Sequence, residues 1–168
     1  MDLVISDSSV LIHLSRIDRL DLLRELFSVI TIPPAVWHEV VEEGRGRTGA
    51  SNVEKAREED WIKIIPPQNE LLLRLLMRNL DFGEAEAIVL ALERHASILL
   101  VDETDARQLA KLYNLRVAGT IGVLLRAYQE RMIESFKAEL DKLIAKGGFY
   151  ISPELYKKVL TSYNHHKK

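Results

Sequence analysis

Four acidic residues stand at positions where carboxylates could carry out chemistry. Asp7 and Asp102 each stand at the end of a short apolar run, Glu39 lies among apolar neighbours, and Glu84 opens a largely apolar segment. Carboxylates that converge repel one another, so their pKa values rise unless a cation neutralises them. Oxygen-rich sites of this kind favour Mg²⁺ or Mn²⁺, and such ions support phosphoryl transfer by activated water.

Each acid also has a simpler explanation. Asp7 and Asp102 fit the pattern of helix N-caps, since Asp is a favoured residue there. Glu84 fits a capping box with Asp81, three residues earlier. Glu39 needs a partner if it is buried, and a salt bridge to Lys or Arg is an alternative to a metal ion.

A second glutamate, Glu86, follows Glu84 two residues later. Helix positions two apart do not share a face. We therefore expect at most one of the two to reach the site, and the sequence leaves open which one.

The elements that position these acids alternate between strand and helix. Short β-rich runs predict strands at 3–5, 28–32, 61–65, 98–101 and 116–118. Helices are predicted from residue 10 and over 18–27, 34–43, 52–60, 71–80, 84–95, 103–113, 120–131, 134–146 and 153–163, with a glycine-rich loop at 44–49. This alternation predicts an α/β fold with three α/β/α layers around a short parallel sheet, as a single domain over 1–163 followed by a flexible tail at 164–168.

In such sheets, ligands bind outside the carboxyl ends of the strands. Asp7 and Asp102 are predicted at that edge. Their placement brings residues that are distant in the sequence to one candidate site.

Composition sets the class of protein. The chain has 168 residues, of which 47% are hydrophobic and 29% charged, so it can bury a core and is not disordered. Its 23 basic and 25 acidic residues give a net charge of −2, so any nucleic acid must be held by a local patch. The absence of cysteine excludes thiolate metal sites and cysteine nucleophiles. No membrane span or signal peptide is apparent, which predicts a cytoplasmic protein.

Five segments in order make the chain resemble the PIN-domain proteins, and within them a small prokaryotic group with a Gly-Glu-Ala-Glu-Ala helix. They are residues 4–12, 32–40, 83–88, 99–107 and 119–122. The resemblance covers nearly the whole chain. It implies a metal-dependent endoribonuclease that hydrolyses RNA phosphodiester bonds with a carboxylate-bound Mg²⁺ or Mn²⁺.

The resemblance also implies roles for single residues. Asp7 would be the first metal-binding acid and Glu39 the second, with Glu84 and Asp102 completing the catalytic set. Asp105 would be a further metal ligand or a replacement for one of them. The chain departs from the commoner pattern in having Glu rather than Asp at position 84 and in lacking a Thr-x-Asp after the strand.

Three residues are expected to support the acids. Ser8 is placed to fix the carboxylate of Asp7, or is simply a helix-start residue. Thr120 is expected to be a hydroxyl donor near the site or a helix N-cap. Glu86 is the alternative to Glu84 as the site acid.

An acidic site that binds single-stranded RNA needs basic residues on its rim. Arg45 and Arg47 lie in the glycine-rich loop, where the alternative is a solvated surface. Arg107 and Lys111 lie one turn apart and would contact phosphate or pair with Asp105 and nearby Glu. His13 lies near Asp7 and is expected to be a packed or exposed helix residue rather than a ligand.

Two helices are more apolar than one buried stripe requires, at residues 20–27 and 71–77. They predict a homodimer face or a groove for a partner. Because related PIN nucleases are often toxins of toxin–antitoxin pairs, the resemblance also implies an antitoxin protein that would cover the acidic site or insert an Arg.

Two other functions compete with a nuclease. The irregular pattern at Glu84 and Glu86 is compatible with a non-catalytic module that binds nucleic acid or protein. A phosphatase or receiver-like domain would use Asp7 as a nucleophile, but no lysine follows an apolar strand to steady a phosphoryl group.

Overall fold

A computed structural model describes residues 2–165. Five short strands form one sheet in the order β3-β2-β1-β4-β5, and every pairing is parallel. The strands are β1 (Val4–Ser6), β2 (Ile30–Ile32), β3 (Ile62–Ile64), β4 (Ile98–Leu100) and β5 (Val117–Ala118). This arrangement confirms the predicted α/β fold with a short parallel sheet.

Helices follow the strands and cover both faces of the sheet. They are α1 (Ser8–Arg16), α2 (Asp21–Phe27), α3 (Pro34–Trp37), α4 (Thr48–Glu58), α5 (Glu70–Leu76), α6 (Phe82–Glu93), α7 (Thr104–Leu112), α8 (Thr120–Gln129), α9 (Phe136–Ala145) and α10 (Pro153–His165). None within residues 2–165 has both the length and the apolar character needed to cross a bilayer.

The side chains of each strand point alternately to the two faces of the sheet, so the apolar core has two parts. Val4 and Leu100 belong to the larger apolar cluster, which includes α1, α8 and α9. Their neighbours Ile5 and Leu99 belong to the other cluster, which is built on α6 and α7. Successive strand residues point to opposite faces, so apolar residues at consecutive positions bury both faces of the sheet.

The chain reverses direction across the sheet at β1 and β4. From β1 it proceeds outward to β2 and β3, and it then returns to β4 and β5 on the other side of β1. A crevice opens at such a switch point, beyond the carboxyl ends of the two central strands. Asp7 and Asp102 follow these two strands, and the backbone N–H of Asp7 donates to Leu100 O at 3.0 Å.

Several predicted boundaries were wrong by a few residues. Asp18 does not open α2, because it adopts a positive φ of 56° in the preceding turn. Ser28 has a φ of 66°, so β2 begins only at Ile30. The predicted loop at 44–49 ends earlier than expected, since α4 already begins at Thr48.

The predicted helix over 34–43 has two parts. α3 ends at Trp37, and residues His38–Glu42 form a π-helical turn. π-helical turns are rare in proteins overall, but those that do occur are often found at functional sites. This one carries Glu39.

The two very apolar helices differ in the structure. Most of the first is used in the core, since Leu20, Leu22 and Leu23 are buried. α5 leaves more surface open, with Leu71 70% and Leu75 49% exposed. The predicted homodimer stays a prediction.

α10 continues through His165, so the first two residues of the predicted tail are helical. Residues 166–168 lie outside the described part of the chain.

Candidate functional site

Asp7 lies at the end of β1 and caps α1. The Ser9 backbone N–H and hydroxyl donate to Asp7 Oδ1 at 3.1 and 2.7 Å. The Ser9 hydroxyl also accepts from the backbone N–H of Asp102 at 3.2 Å. Ser9 therefore joins the two strand ends and performs the role that the sequence suggested for Ser8.

Asp7 is a buried carboxylate, with 3% of its surface exposed. Burial raises its pKa well above the usual range, and the charges of Asp102 and Glu84 raise it further, while the hydrogen bond from Ser9 opposes the shift. An acid of this kind binds either a proton or a cation when its neighbours are charged.

Asp102 is held by three donors. The Thr120 backbone N–H donates to Oδ1 at 2.7 Å and its hydroxyl to Oδ2 at 2.6 Å, while His13 Nδ1 lies 2.6 Å from Oδ2. The predicted helix-capping role of Asp102 is wrong, because Glu103 is the N-cap of α7. Thr120 is the hydroxyl donor that the sequence suggested, and it occupies the first position of α8 after the N-cap Gly119.

The hydrogen bond between Thr120 and Asp102 is closely packed against Gly119. A Cβ on Gly119 would lie 2.6 Å from both Asp102 Oδ1 and Arg107 Nη1. A side chain at position 119 would therefore displace the carboxylate. Glycine is required here by space rather than by backbone conformation.

His13 is a site residue whose importance the sequence interpretation underestimated. It lines the same cleft as Asp7 and packs edge-on against Phe149, with ring centroids 5.0 Å apart. The contact of Nδ1 with Asp102 leaves Nε2 as the ring nitrogen that can meet a ligand. The available signal was its position six residues after Asp7, which places it on α1 about 1.7 helical turns further along.

Glu39 is brought to the cleft by the π-helical turn. The Ser8 hydroxyl donates to Glu39 Oε2 at 2.5 Å. Within the described chain Glu39 has no Lys or Arg partner, so the salt-bridge alternative is wrong. A Cβ on Gly83 would lie 3.0 Å from Glu39 Oε2, and glycine at this position lets α6 approach the carboxylate.

Glu84 and Glu86 lie in different environments. Glu84 forms a capping box with Asp81, and it lines the cleft. Glu86 is buried and accepts from the backbone N–H of Ala35 at 2.8 Å, at the start of α3. Of the two candidate site acids, the structure therefore brings Glu84 to Asp7.

Glu84 titrates in an unusual range. Burial and the charge of Asp81 raise its pKa to about 7, with smaller contributions from Glu103 and Glu39 and an opposing hydrogen bond from the Asp81 backbone. Glu84 therefore keeps its proton to a higher pH than an exposed glutamate does.

The acids surround one cleft of about 280 Å³. Five carboxylate side chains line it, those of Asp7, Glu39, Asp81, Glu84 and Glu103. None of the five forms an ion pair with Lys or Arg in the part of the chain that the structure describes. Asp7 is buried and Glu39 and Glu84 are partly buried, whereas Asp81 and Glu103 are exposed. Burial without a cationic partner is costly for a carboxylate, and an all-oxygen donor set fits a hard divalent cation.

The carboxylates are nevertheless spread around the cleft. Between residues 2 and 165, no three acidic or histidine side chains are close enough together to hold one ion as they stand. Asp105 is exposed in the first turn of α7 and does not line the cleft. Asp102 contacts His13 but is not a lining residue itself.

The predicted basic residues occupy two places. Arg45 and Arg47 are exposed in the glycine-rich turn, and Arg47 lines a second cavity next to the cleft. Arg107 donates to Val101 O at 3.2 Å rather than pairing with Asp105. Lys111 is exposed on α7 and has no ion pair among the described residues.

Comparison with known proteins agrees with the sequence motifs and the fold. A search of curated proteins finds no significant match. A family model described as a PIN domain matches residues 3–165, nearly the whole chain. PIN domains are generally nucleases, which agrees with an acidic cleft at the switch point of the sheet. The chain belongs to the PIN-domain family.

Proposed function

We propose that the protein is a metal-dependent endoribonuclease that hydrolyses phosphodiester bonds of single-stranded RNA. The observation that carries this proposal is the environment of Asp7. This carboxylate is buried near Asp102 and Glu84, and it forms no ion pair with Lys or Arg among residues 2–165. Ionised, such a carboxylate destabilises the folded chain unless a cation neutralises it.

The residues around the cleft fit a divalent cation in their chemistry. Asp7, Glu39 and Glu84 line the cleft and would hold Mg²⁺ or Mn²⁺. Asp102 contacts the lining residue His13 and would fix the orientation of its ring. When bound, the ion supplies charge neutralisation and an activated water for attack on a phosphodiester. The chain itself fixes Glu39 through Ser8 and Asp102 through Thr120, which limits how far these carboxylates can move.

The proposal is tested by cleavage of a fluorescently labelled single-stranded RNA with Mn²⁺ or Mg²⁺. Asp7→Asn should lower the rate at least ~100-fold, since even residues that only support a metal site typically change affinity or activity 10–100-fold. Asn is as good an N-cap as Asp, so α1 should stay intact. The matched control is Asp21→Asn, which changes an acid in the first turn of α2, away from the cleft. Equal cleavage by wild type and Asp7→Asn would overturn the proposal.

A non-catalytic binding module is the second candidate. It is favoured by the spread of the carboxylates, since no three described groups stand ready around one ion. Such a module would bind RNA without cutting it, and Mn²⁺ would not alter the RNA over hours.

A toxin role with an antitoxin partner extends the nuclease proposal and stays a prediction. Expression of the wild-type chain should arrest bacterial growth, whereas Asp7→Asn should not. Growth arrest by both would separate toxicity from the cleft.

A further inference from the structure

Arg16 is an unusual member of the acidic cleft. It is the one Lys or Arg side chain among the described residues that line it, facing five carboxylates. It forms no ion pair with any of them in the described chain. Its Nη1 instead donates to the carbonyl oxygen of Gly147 at 3.1 Å. A guanidinium has five N–H donors in a planar fork, so this neutral contact leaves the charge and most of the donors available.

A second cavity continues from the cleft past Arg16. It has a volume of about 330 Å³ and shares three lining residues with the cleft, namely Ile12, Arg16 and Glu39. It extends to the glycine-rich turn, and Arg47 is one of its lining residues. The two cavities therefore adjoin, with Arg16 lining both and Arg47 lining the second; together they are called the groove.

The chemistry of the groove favours a polyanion. Five carboxylates in the cleft repel a free anion, so an anionic ligand must be attracted by specific cationic contacts. Arginine matches the two oxygens of a phosphate with parallel hydrogen bonds. A single-stranded nucleic acid presents phosphates in series, which suits two arginines spaced along one groove.

We propose that Arg16 is a substrate-positioning residue that binds the RNA backbone phosphate next to the bond to be cut, and that the strand continues along the groove to Arg47. This inference rests on the proposed ribonuclease function and adds the path of the substrate.

The position of Arg16 is supported by its neighbours. Gly148 has a φ of +68°, and a Cβ there would lie 2.5 Å from Arg16 Nη1. Gly148→Ala should therefore displace the guanidinium without removing its charge. The Gly147 carbonyl oxygen thus binds Arg16, and the missing side chain at Gly148 leaves space for its guanidinium.

The test measures binding of a fluorescein-labelled 12-nucleotide single-stranded RNA by anisotropy. It uses the Asp7→Asn background, so that the RNA stays intact. Arg16→Gln should weaken binding about tenfold, because a charge-assisted contact to phosphate is lost. The slope of log K against log salt should fall by about 0.7, the value for one phosphate contact on a single strand. Arg47→Gln should add a similar decrease in slope, and Arg16→Lys should restore the slope while recovering only part of the affinity.

The matched control is Arg94→Gln, which removes an equal charge at the far end of α6. It should leave affinity within twofold of the parent and the slope unchanged. In the cleaving protein, Arg16→Gln should raise KM more than it lowers kcat, as expected for loss of uniform binding. Equal affinity and slope for Arg16→Gln and Arg94→Gln would overturn the inference.

The two proposals fail in different ways. If wild type cleaves RNA with Mn²⁺ but Arg16→Gln behaves like Arg94→Gln, the substrate path is wrong and the nuclease stands. If Arg16→Gln weakens RNA binding but wild type never cleaves, the groove stands and the nuclease proposal fails.

Discussion

Asp7 and Glu139 are both almost completely buried, with 3% and 4% of their surface exposed, but they have different neighbours. Glu139, on α9, accepts from Arg19 Nη2 at 2.6 Å and lies 3.4 Å from Lys142 Nζ. Asp7 accepts from Ser9 and faces Asp102 and Glu84. One carboxylate is paired within the fold, and the other is surrounded by like charges.

The pKa directions follow from these neighbours. Burial alone would raise the pKa of Glu139, but the hydrogen bond and charge of Arg19 outweigh it and lower the pKa. At Asp7, burial raises the pKa and nearby carboxylates add to the rise. The same chain therefore shows that it can neutralise a buried acid with arginine, and that it does not do so at the cleft. This difference is what identifies the cleft as a place for a ligand.

The largest expected effect separates the two acids by activity. Asp7→Asn should reduce Mn²⁺-dependent RNA cleavage at least ~100-fold, whereas Glu139→Gln should leave kcat/KM within about twofold because it lies outside the cleft. Initial rates with labelled RNA at a temperature where both variants are folded measure this. A comparable loss in both variants would mean that general destabilisation, not the cleft, controls activity.

The second effect concerns stability, where Glu139→Gln is expected to be the more damaging of the two substitutions. Glu139→Gln should lower the free energy of unfolding by about 1–3 kcal/mol, since it removes a charged hydrogen-bond partner of Arg19. Asp7→Asn should leave metal-free stability at pH 8 unchanged or higher, because a poorly compensated buried charge is removed while the N-cap is kept. Urea denaturation in EDTA measures both. A larger loss from Asp7→Asn than from Glu139→Gln would show that Asp7 is a structural cap.

The smallest effect is a pH dependence at Glu84. Its folded pKa of about 7 lies above the unfolded value near 4.5, so the folded chain binds more protons between these values. Metal-free stability should therefore fall as pH rises from about 4.5 to 7. Glu84→Gln removes this fall and keeps the capping box, since Gln also fits that position.

After allowance for partial solvent exposure, the gain from Glu84→Gln at pH 8 relative to pH 5 should be about 1 kcal/mol, or 2–4 °C in Tm. Thermal unfolding at the two pH values measures it. The control is Glu58→Gln, an exposed acid on α4. A gain that is equal at both pH values, or equal in the control, would contradict the pKa of Glu84.

Much of the fold was predictable because its signals are local. Apolar runs, capping residues and the proline pair at 33–34 indicated every strand and helix. The boundary errors at Asp18 and Ser28 came from turns with positive φ, since non-glycine residues there give no clear signal. The π-helical turn at Glu39 was not predictable either, because its apolar pattern also fits an α-helix.

The site was predictable at the level of its acids but not of their contacts. Parallel strands place Asp7 and Asp102 at the same edge of the sheet, and the pairing of β1 with β4, which the sequence did not specify, makes them neighbours. Helical geometry separates Glu84 from Glu86. By contrast, the pairings of Ser8 with Glu39 and of His13 with Asp102 join residues 31 and 89 positions apart. Such pairings depend on how helices pack on the sheet, which no local pattern specifies.

The central claim is that the cleft carboxylates, which have no ion pair with Lys or Arg among the described residues, bind a divalent cation. Its most direct test is a calorimetric titration of Mn²⁺ into wild type, Asp7→Asn and Glu139→Gln near pH 7. We expect binding by wild type and Glu139→Gln, with release of protons in buffers of different ionisation enthalpy, because Glu84 must lose its proton to bind a cation. Asp7→Asn should show binding at least ~10-fold weaker. Absence of Mn²⁺ binding by the folded wild-type protein, or equal binding by Asp7→Asn, would contradict the account.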